Sequence, residues 1–175
     1  MPYRVGLKMI IYHHKNDVFH CIYRILSIFE MLDSKKIEVG KLKIIDFYLT
    51  FPHLLVEVRM PNSTDGRTLK KFAKNLENPY ENFPNSKILF SEMGDFQSQA
   101  IDILRSKDIL TTKDEWIGIG ESFNHEGIVK LTAKNSYTSI QIFKILVEVF
   151  SNCELNGKNG LKNRTSLMEF RYDAV

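Results

Sequence analysis

Cysteine, tryptophan, net charge and long hydrophobic runs are all scarce in this chain of 175 residues, and each scarcity excludes something. Two cysteines, Cys21 and Cys153, cannot make the disulfide framework of a small secreted domain. No stretch approaches the roughly 18 uninterrupted apolar residues of a membrane span. The opening MPYRVGLKMIIYHHK has too short an apolar run for a secretory signal and no small-residue cleavage site. The expectation is therefore a cytoplasmic protein with no membrane partner. Charge is nearly balanced: 24 basic against 21 acidic residues leave +3, too little by itself to declare a nucleic-acid binder.

Catalytic signatures are scarce as well. Gly118-Ile119-Gly120 lacks the third glycine of a dinucleotide loop and lies in a strand-like stretch rather than before a helix. Gly120-Glu121-Ser122-Phe123-Asn124 has asparagine where a nucleophile elbow requires glycine. His125-Glu126 begins like a zinc-protease motif, but Val129 stands where the second histidine must fall. No glycine-rich loop ends in Lys-Ser or Lys-Thr. His13, His14, His20 and Cys21 cluster, but sequence neighbours point apart in regular structure and do not form the spaced pairs of a structural zinc site. The expectation is a non-enzyme with no cofactor, no catalytic residue and no metal.

What is present is an ordinary globular composition, 43% apolar and 26% charged, of a length suited to one domain. Residues 17–55 are its centre. Phe19, Ile22, Ile25, Leu26, Phe29 and Leu32 keep one side of a helix apolar, with Asp17 placed to cap its free N–H groups. The periodicity resumes over 39–51 until Pro52, which has no N–H and biases Phe51 away from helix. Two such helices joined by a charged turn (33–36) predict a helical hairpin at the core. Arg24 and Asp46 interrupt its apolar surface. Unpaired burial of either charge is costly, so they pair across the hairpin, face a partner, or leave Arg24 reaching to solvent.

The segments FHCIYRIL and KLKIIDFYLTFPHLL resemble the middle components of bacterial ABC-three-component systems, the group that includes Lamassu-type defence operons. The matching residues are His20, Cys21, Arg24, Asp46, Phe47, Tyr48, Phe51 and Pro52, with a looser echo in FSEMGDFQSQAIDIL. The resemblance implies a small non-catalytic subunit between an SMC-like ATPase and an effector, often a nuclease, with DNA reached through the complex. The expected partner-facing residues are His20, Arg24, Asp46, Tyr48, Phe51 and Leu54. Phe51 and Leu54 flank the proline turn, and Tyr48 offers both apolar area and a hydroxyl, a combination favoured at interfaces. The competing expectation is that helices at 88–107 and 136–151 fold back and bury this patch.

Elsewhere, 5–12 is a short apolar run, and 56–59 suits a brief strand or a helix end. PNSTDG (61–66) is a turn cluster. Residues 67–77 predict a helix with Leu69, Phe72, Ala73 and Leu76 on one face and Arg67, Lys70, Lys71 and Lys74 on the other. That second face is a weak nucleic-acid candidate or simply a solvated surface. The two prolines of 78–85 mark a linker. Residues 88–110 predict two helices divided at Gly94-Asp95. A β-hairpin is expected next, with arms at 116–120 and 128–133. Residues 136–151 predict the last strong helix, 152–163 a turn-rich stretch, and 167–172 a docking strand. The fold class is mainly α (α+β), with a winged-helix-like hairpin. That order keeps a winged-helix DNA-binding regulator as the alternative. Against it, the helix before the hairpin offers only Gln97, Gln99 and Arg105 beside Asp95 and Asp102, which repel phosphate. A small hydrolase or nuclease is the third reading, and the missing constellations count against it.

Overall fold

The computed structural model describes residues 16–76, 83–133 and 136–168. The apolar run at 5–12 and residues 169–172 of the expected strand lie outside them, as does most of the 78–85 linker.

The first helix, α1 (Val18–Met31), begins where its cap dictates: the Asp17 carboxylate accepts from the N–H groups of Phe19 at 2.7 Å and His20 at 3.2 Å. A short strand, β1 (Lys36–Glu38), leads directly into α2 (Val39–Thr50). In α2, Leu42, Ile44, Ile45, Phe47, Tyr48 and Leu49 are all buried, so the helix is enclosed rather than half-exposed. Pro52 ends α2 and opens a 3-10 turn (Pro52–Glu57), which resolves the strand-or-helix ambiguity of that segment. Helix α3 (Thr64–Asn75) starts at Ser63, whose hydroxyl accepts from the Gly66 N–H at 3.0 Å.

Helix α4 (Ser86–Ser106) is continuous where two helices were predicted. Gly94 costs an exposed helix interior only about 1 kcal/mol. The buried positions Leu89, Met93, Gln97, Ala100, Ile101 and Leu104 carry one inward stripe straight past it, and that stripe decides. A hairpin follows, as expected, with the arm predicted at 116–120 in place but its partner drawn from other residues. Strand β2 (Leu110–Lys113) pairs antiparallel with β3 (Trp116–Ile119), with Asp114 turning at φ 54°. Aspartate tolerates that left-handed geometry. Residues 128–133, predicted as the second arm, instead belong to helix α5 (Glu126–Ala133). Short apolar runs do not distinguish strand from helix by periodicity, and the partner of β3 lay upstream. Strand β1 adds to the other edge of β3, with Ile37 opposite Ile117, in the order β1-β3-β2. At three residues it was invisible in the sequence.

The predicted C-terminal helix is broken at Ile140 into α6 (Ser136–Ser139) and α7 (Gln141–Asn152). Beyond it, the turn-rich stretch contains α8 (Leu161–Thr165), anchored by buried Leu155 and Leu161. Residues 167 and 168 form no strand.

The chain is thus mainly helical with one small antiparallel sheet. Helices α1, α4 and α7 surround α2, and the 3-10 turn and α7 support α3. Gly120 sits where the hairpin returns beneath α4: a Cβ there would lie 2.2 Å from the Asp108 carbonyl oxygen, whereas one at Gly94 would meet nothing within 4 Å. Gly120→Ala is expected to cost about 1–3 kcal/mol through overpacking, while Gly94→Ala is neutral or stabilising by up to about 1 kcal/mol. Urea unfolding of the two variants checks the contrast. Leu26→Ala and Phe47→Ala, both in the core, should each cost about 2–5 kcal/mol in the same measurement.

Candidate functional site

Three features stand out among the described residues: a polar network inside the core, a cleft above it, and a basic helix face. The network centres on Asp46, fully buried on α2. Its Oδ1 accepts from Arg24 Nε at 2.6 Å. Its Oδ2 accepts from Arg24 Nη2 at 3.3 Å, from Gln97 Nε2 at 2.8 Å and, more weakly, from the Cys21 thiol at 3.7 Å. Arg24 and Cys21 lie on α1 and Gln97 on α4, so one carboxylate ties three helices together. Gln97 Nε2 also donates to the Lys43 carbonyl at 3.0 Å, leaving its Oε1 buried with no partner. Of the alternatives open for Arg24 and Asp46, the structure takes the pairing across the hairpin. Burial weakens the case for the guanidinium's charge, but Asp46 beside it prevails and holds its pKa above the ordinary value. Burial, reinforced by the Asp46 charge, pushes the Cys21 thiol far up. Gln97, read from sequence as a possible base-reading side chain, points inward instead.

Above this network opens a cleft of about 530 Å³, lined by Asp17, Phe19, His20, Tyr23, Arg24, Leu49, Thr50 and Tyr137. Its walls come from α1, α2 and α6. The Tyr23 and Tyr137 rings meet edge-on at 6.2 Å. Phe19 stands at the rim with 79% of its surface exposed.

The sequence-predicted partner residues divide between surface and core. His20 lines the cleft and Leu54 is half-buried. Tyr48 and Phe51 require correction: both are core, at 1% and 5% exposure. Helix α7 covers Tyr48, whose ring lies edge-on to Phe150 at 5.6 Å, and Phe51 sits between Phe47 and Phe83. The fold-back alternative describes this patch, because its apolar area is used internally. Arg24 and Asp46 are likewise enclosed, with only the Arg24 side reaching the cleft floor.

Other exposed apolar side chains are Val56 on the 3-10 turn, Ile88 and Ile103 on α4, Val129 and Leu131 on α5, Ile140 before α7, and Trp116 on β3. Lys36 lies over the Trp116 ring at 4.8 Å. Arg67, Lys71 and Lys74 of α3 are exposed and Lys70 is half-buried, on the face opposite buried Leu69 and Ala73. His13 and His14 lie outside the described residues. Among those described, no group of three or more metal-ligating side chains converges, and no helix is long and apolar enough to cross a membrane.

The sequence matches the family described as ABC-three component (ABC-3C) system Middle Component 5 over residues 10–173, nearly its whole length. The chain belongs to this family. No curated protein and no solved structure matches it. A middle component is, by that description, one part of a three-component system, so the chain's surface must serve protein partners. The family span includes all three helices tied at Asp46, and the cleft rim is mounted on the first of them.

Two measurements check the network. Asp46→Ala leaves the Arg24 charge buried without its partner and should cost about 3–5 kcal/mol. The double variant Arg24→Met, Asp46→Leu should lose clearly less than the sum of the two single changes, giving a coupling term in a double-mutant cycle. A thiol reagent should modify only Cys153 in the folded protein, since Cys21 is fully buried with a raised pKa, and both cysteines after denaturation.

Proposed function

We propose that this chain is the non-catalytic bridging subunit of an ABC-three-component defence complex. It is held between an SMC-like ATPase and an effector nuclease, as in Lamassu-type systems. The observation that carries the reading is the cleft on α1. A large, nearly fully exposed phenylalanine stands beside half-buried Tyr23 and Tyr137, on a helix locked from below by the Arg24–Asp46 pair. Aromatic anchors on a rigid support are the composition of binding hot spots. Residues His20 and Leu54 remain in the proposed partner surface. Tyr48, Phe51, Arg24 and Asp46 support it from inside.

The winged-helix alternative has a specific observation behind it. The order helix–strand–helix, then helix–strand–strand with sheet order β1-β3-β2, supports a winged-helix scaffold with α4 in the recognition position and α3 inserted before it. The outward side of α4 carries Glu92, Asp95 and Asp102 against Lys87 and Arg105, an acidic excess of one that favours a protein partner over a DNA groove.

Co-expression with the products of the adjacent genes, followed by affinity purification, tests the bridging role. The wild-type chain should retain both neighbours. Phe19→Glu should lose one of them while keeping its melting temperature, because the changed side chain is already in solvent. Retention of both by Phe19→Glu removes the cleft from the interface, and failure of the wild type to retain either removes the bridging role.

A further inference from the structure

We infer that α3, together with the corner formed by Arg59 and Arg164, is a contact surface for the phosphodiester backbone of nucleic acid. Arg67, Lys70, Lys71 and Lys74 recur at the spacing that keeps them on one helix face. Buried Leu69 and Ala73 fix that face outward, and Gly66 fixes the helix start, where a Cβ would lie 2.2 Å from the Pro61 carbonyl oxygen. Arg59 lies five residues before the start of α3 in sequence and is tied to α8. Its N–H donates to the Arg164 carbonyl at 3.1 Å, and Arg164 Nη1 returns a bond to the Arg59 carbonyl at 2.8 Å.

The decisive feature is what these cations touch. Arg67 donates to Asn62 Oδ1 at 3.2 Å and to Thr64 Oγ1 at 3.4 Å. Arg59 donates to the carbonyl and side-chain oxygens of Asn163, and Arg164 Nε to the Asn159 carbonyl at 2.6 Å. Among the described residues every acceptor is neutral, so these contacts orient the guanidinium groups without neutralising them. The ion pairs among the described residues, Arg24–Asp46, Lys41–Glu38, Arg105–Asp102 and Lys130–Glu126, all lie elsewhere. Four of the six cations, Arg67, Lys70, Lys71 and Lys74, fall within eight residues of one helix. The carboxylates closest in sequence are Asp65, in the first turn of α3, Glu57, at the end of the 3-10 turn, and Glu77, which lies outside the described residues.

The surface chemistry separates nucleic acid from an acidic protein. A protein interface has an apolar centre, whereas a nucleic-acid interface is polar and strongly positive. Helix α3 exposes threonine, lysine, arginine, asparagine and one carboxylate, Asp65; Phe72 is half-buried and no large apolar side chain is exposed. The nearest in sequence is Val56, on the 3-10 turn. From Arg67 to Lys74 the helix spans about 10 Å, a length of duplex that carries about six phosphate charges. Nothing along it is shaped to read base edges, so binding is independent of sequence.

Fluorescence anisotropy of the full chain with a short random-sequence DNA duplex, an RNA duplex of equal length and polyglutamate, over a range of KCl concentrations, tests this. The expected result is tighter binding to nucleic acid than to polyglutamate. The logarithm of affinity should fall against the logarithm of salt with a slope of about −4 to −5, the value for four to six phosphate contacts. Arg67→Glu with Lys71→Glu and Lys74→Glu should weaken binding at least tenfold and flatten the slope by about 3, with an unchanged melting temperature. Should that variant unfold, Lys71→Gln with Lys74→Gln spares the Arg67 hydrogen bonds and should flatten the slope by about 2. Equal DNA and RNA affinities assign the surface to the shared backbone, and DNA alone assigns it to B-form duplex. No binding at low salt, equal binding to polyglutamate, or unchanged binding by the folded variants each overturns the inference.

Discussion

A single carboxylate enclosed by three helices is the constraint on which the rest of this structure depends. Asp46 is fully buried, and such burial is tolerable only if its oxygens are satisfied by hydrogen-bond donors. Arg24 supplies two of these, Gln97 a third and Cys21 a weak fourth. Such a pair contributes little net stability compared with apolar residues of the same shape, but any arrangement that separates its members is strongly disfavoured. Its effect is therefore on register. Helices α1, α2 and α4 are free to slide along apolar surfaces in many ways, and only one alignment brings Arg24, Asp46 and Gln97 into hydrogen-bond distance.

That alignment determines what remains outside. With Ile25, Ile28 and Phe29 turned inward, α1 carries Phe19 and Tyr23 toward the cleft. With Leu89, Met93 and Gln97 turned inward, α4 presents a mixed, partly acidic face to solvent. Helix α3 lies off this centre, against the 3-10 turn and α7, and among the described residues its cations form no ion pair with a carboxylate. The described surface therefore has an aromatic edge built on α1 and a basic edge built on α3. These are chemically different surfaces and suit different classes of partner.

Gln97 shows how polar residues on an apolar stripe are misread. In sequence it belongs to a helix with exposed polar neighbours, where an amide looks like a base-reading group. In the structure it occupies the inward stripe between Met93 and Ala100, because Asp46 and the Lys43 carbonyl both need a donor there. The same error in reverse affected Tyr48 and Phe51. A cluster of aromatic residues at a helix end looks like spare surface until α7 is placed over it, with Phe150 against Tyr48.

Features governed by neighbours along the chain were legible in the sequence alone. The start of α1 at its Asp17 cap, the end of α2 before Pro52 and the apolar stripe of α7 all depend on interactions within a few residues, whereas the turn expected at 61–66 gives way to α3 from Thr64 onward. The pairing of Arg24 with Asp46 was one of the alternatives open from sequence, because the cost of a buried charge is a general rule. Tertiary structure alone decided which strand pairs with β3, that α4 passes uninterrupted through Gly94, that 128–133 is helical, and which aromatic residues are covered. Each of these turns on a contact between residues distant in sequence. The energy of such a contact depends on what stands opposite, and no local pattern in the chain records that.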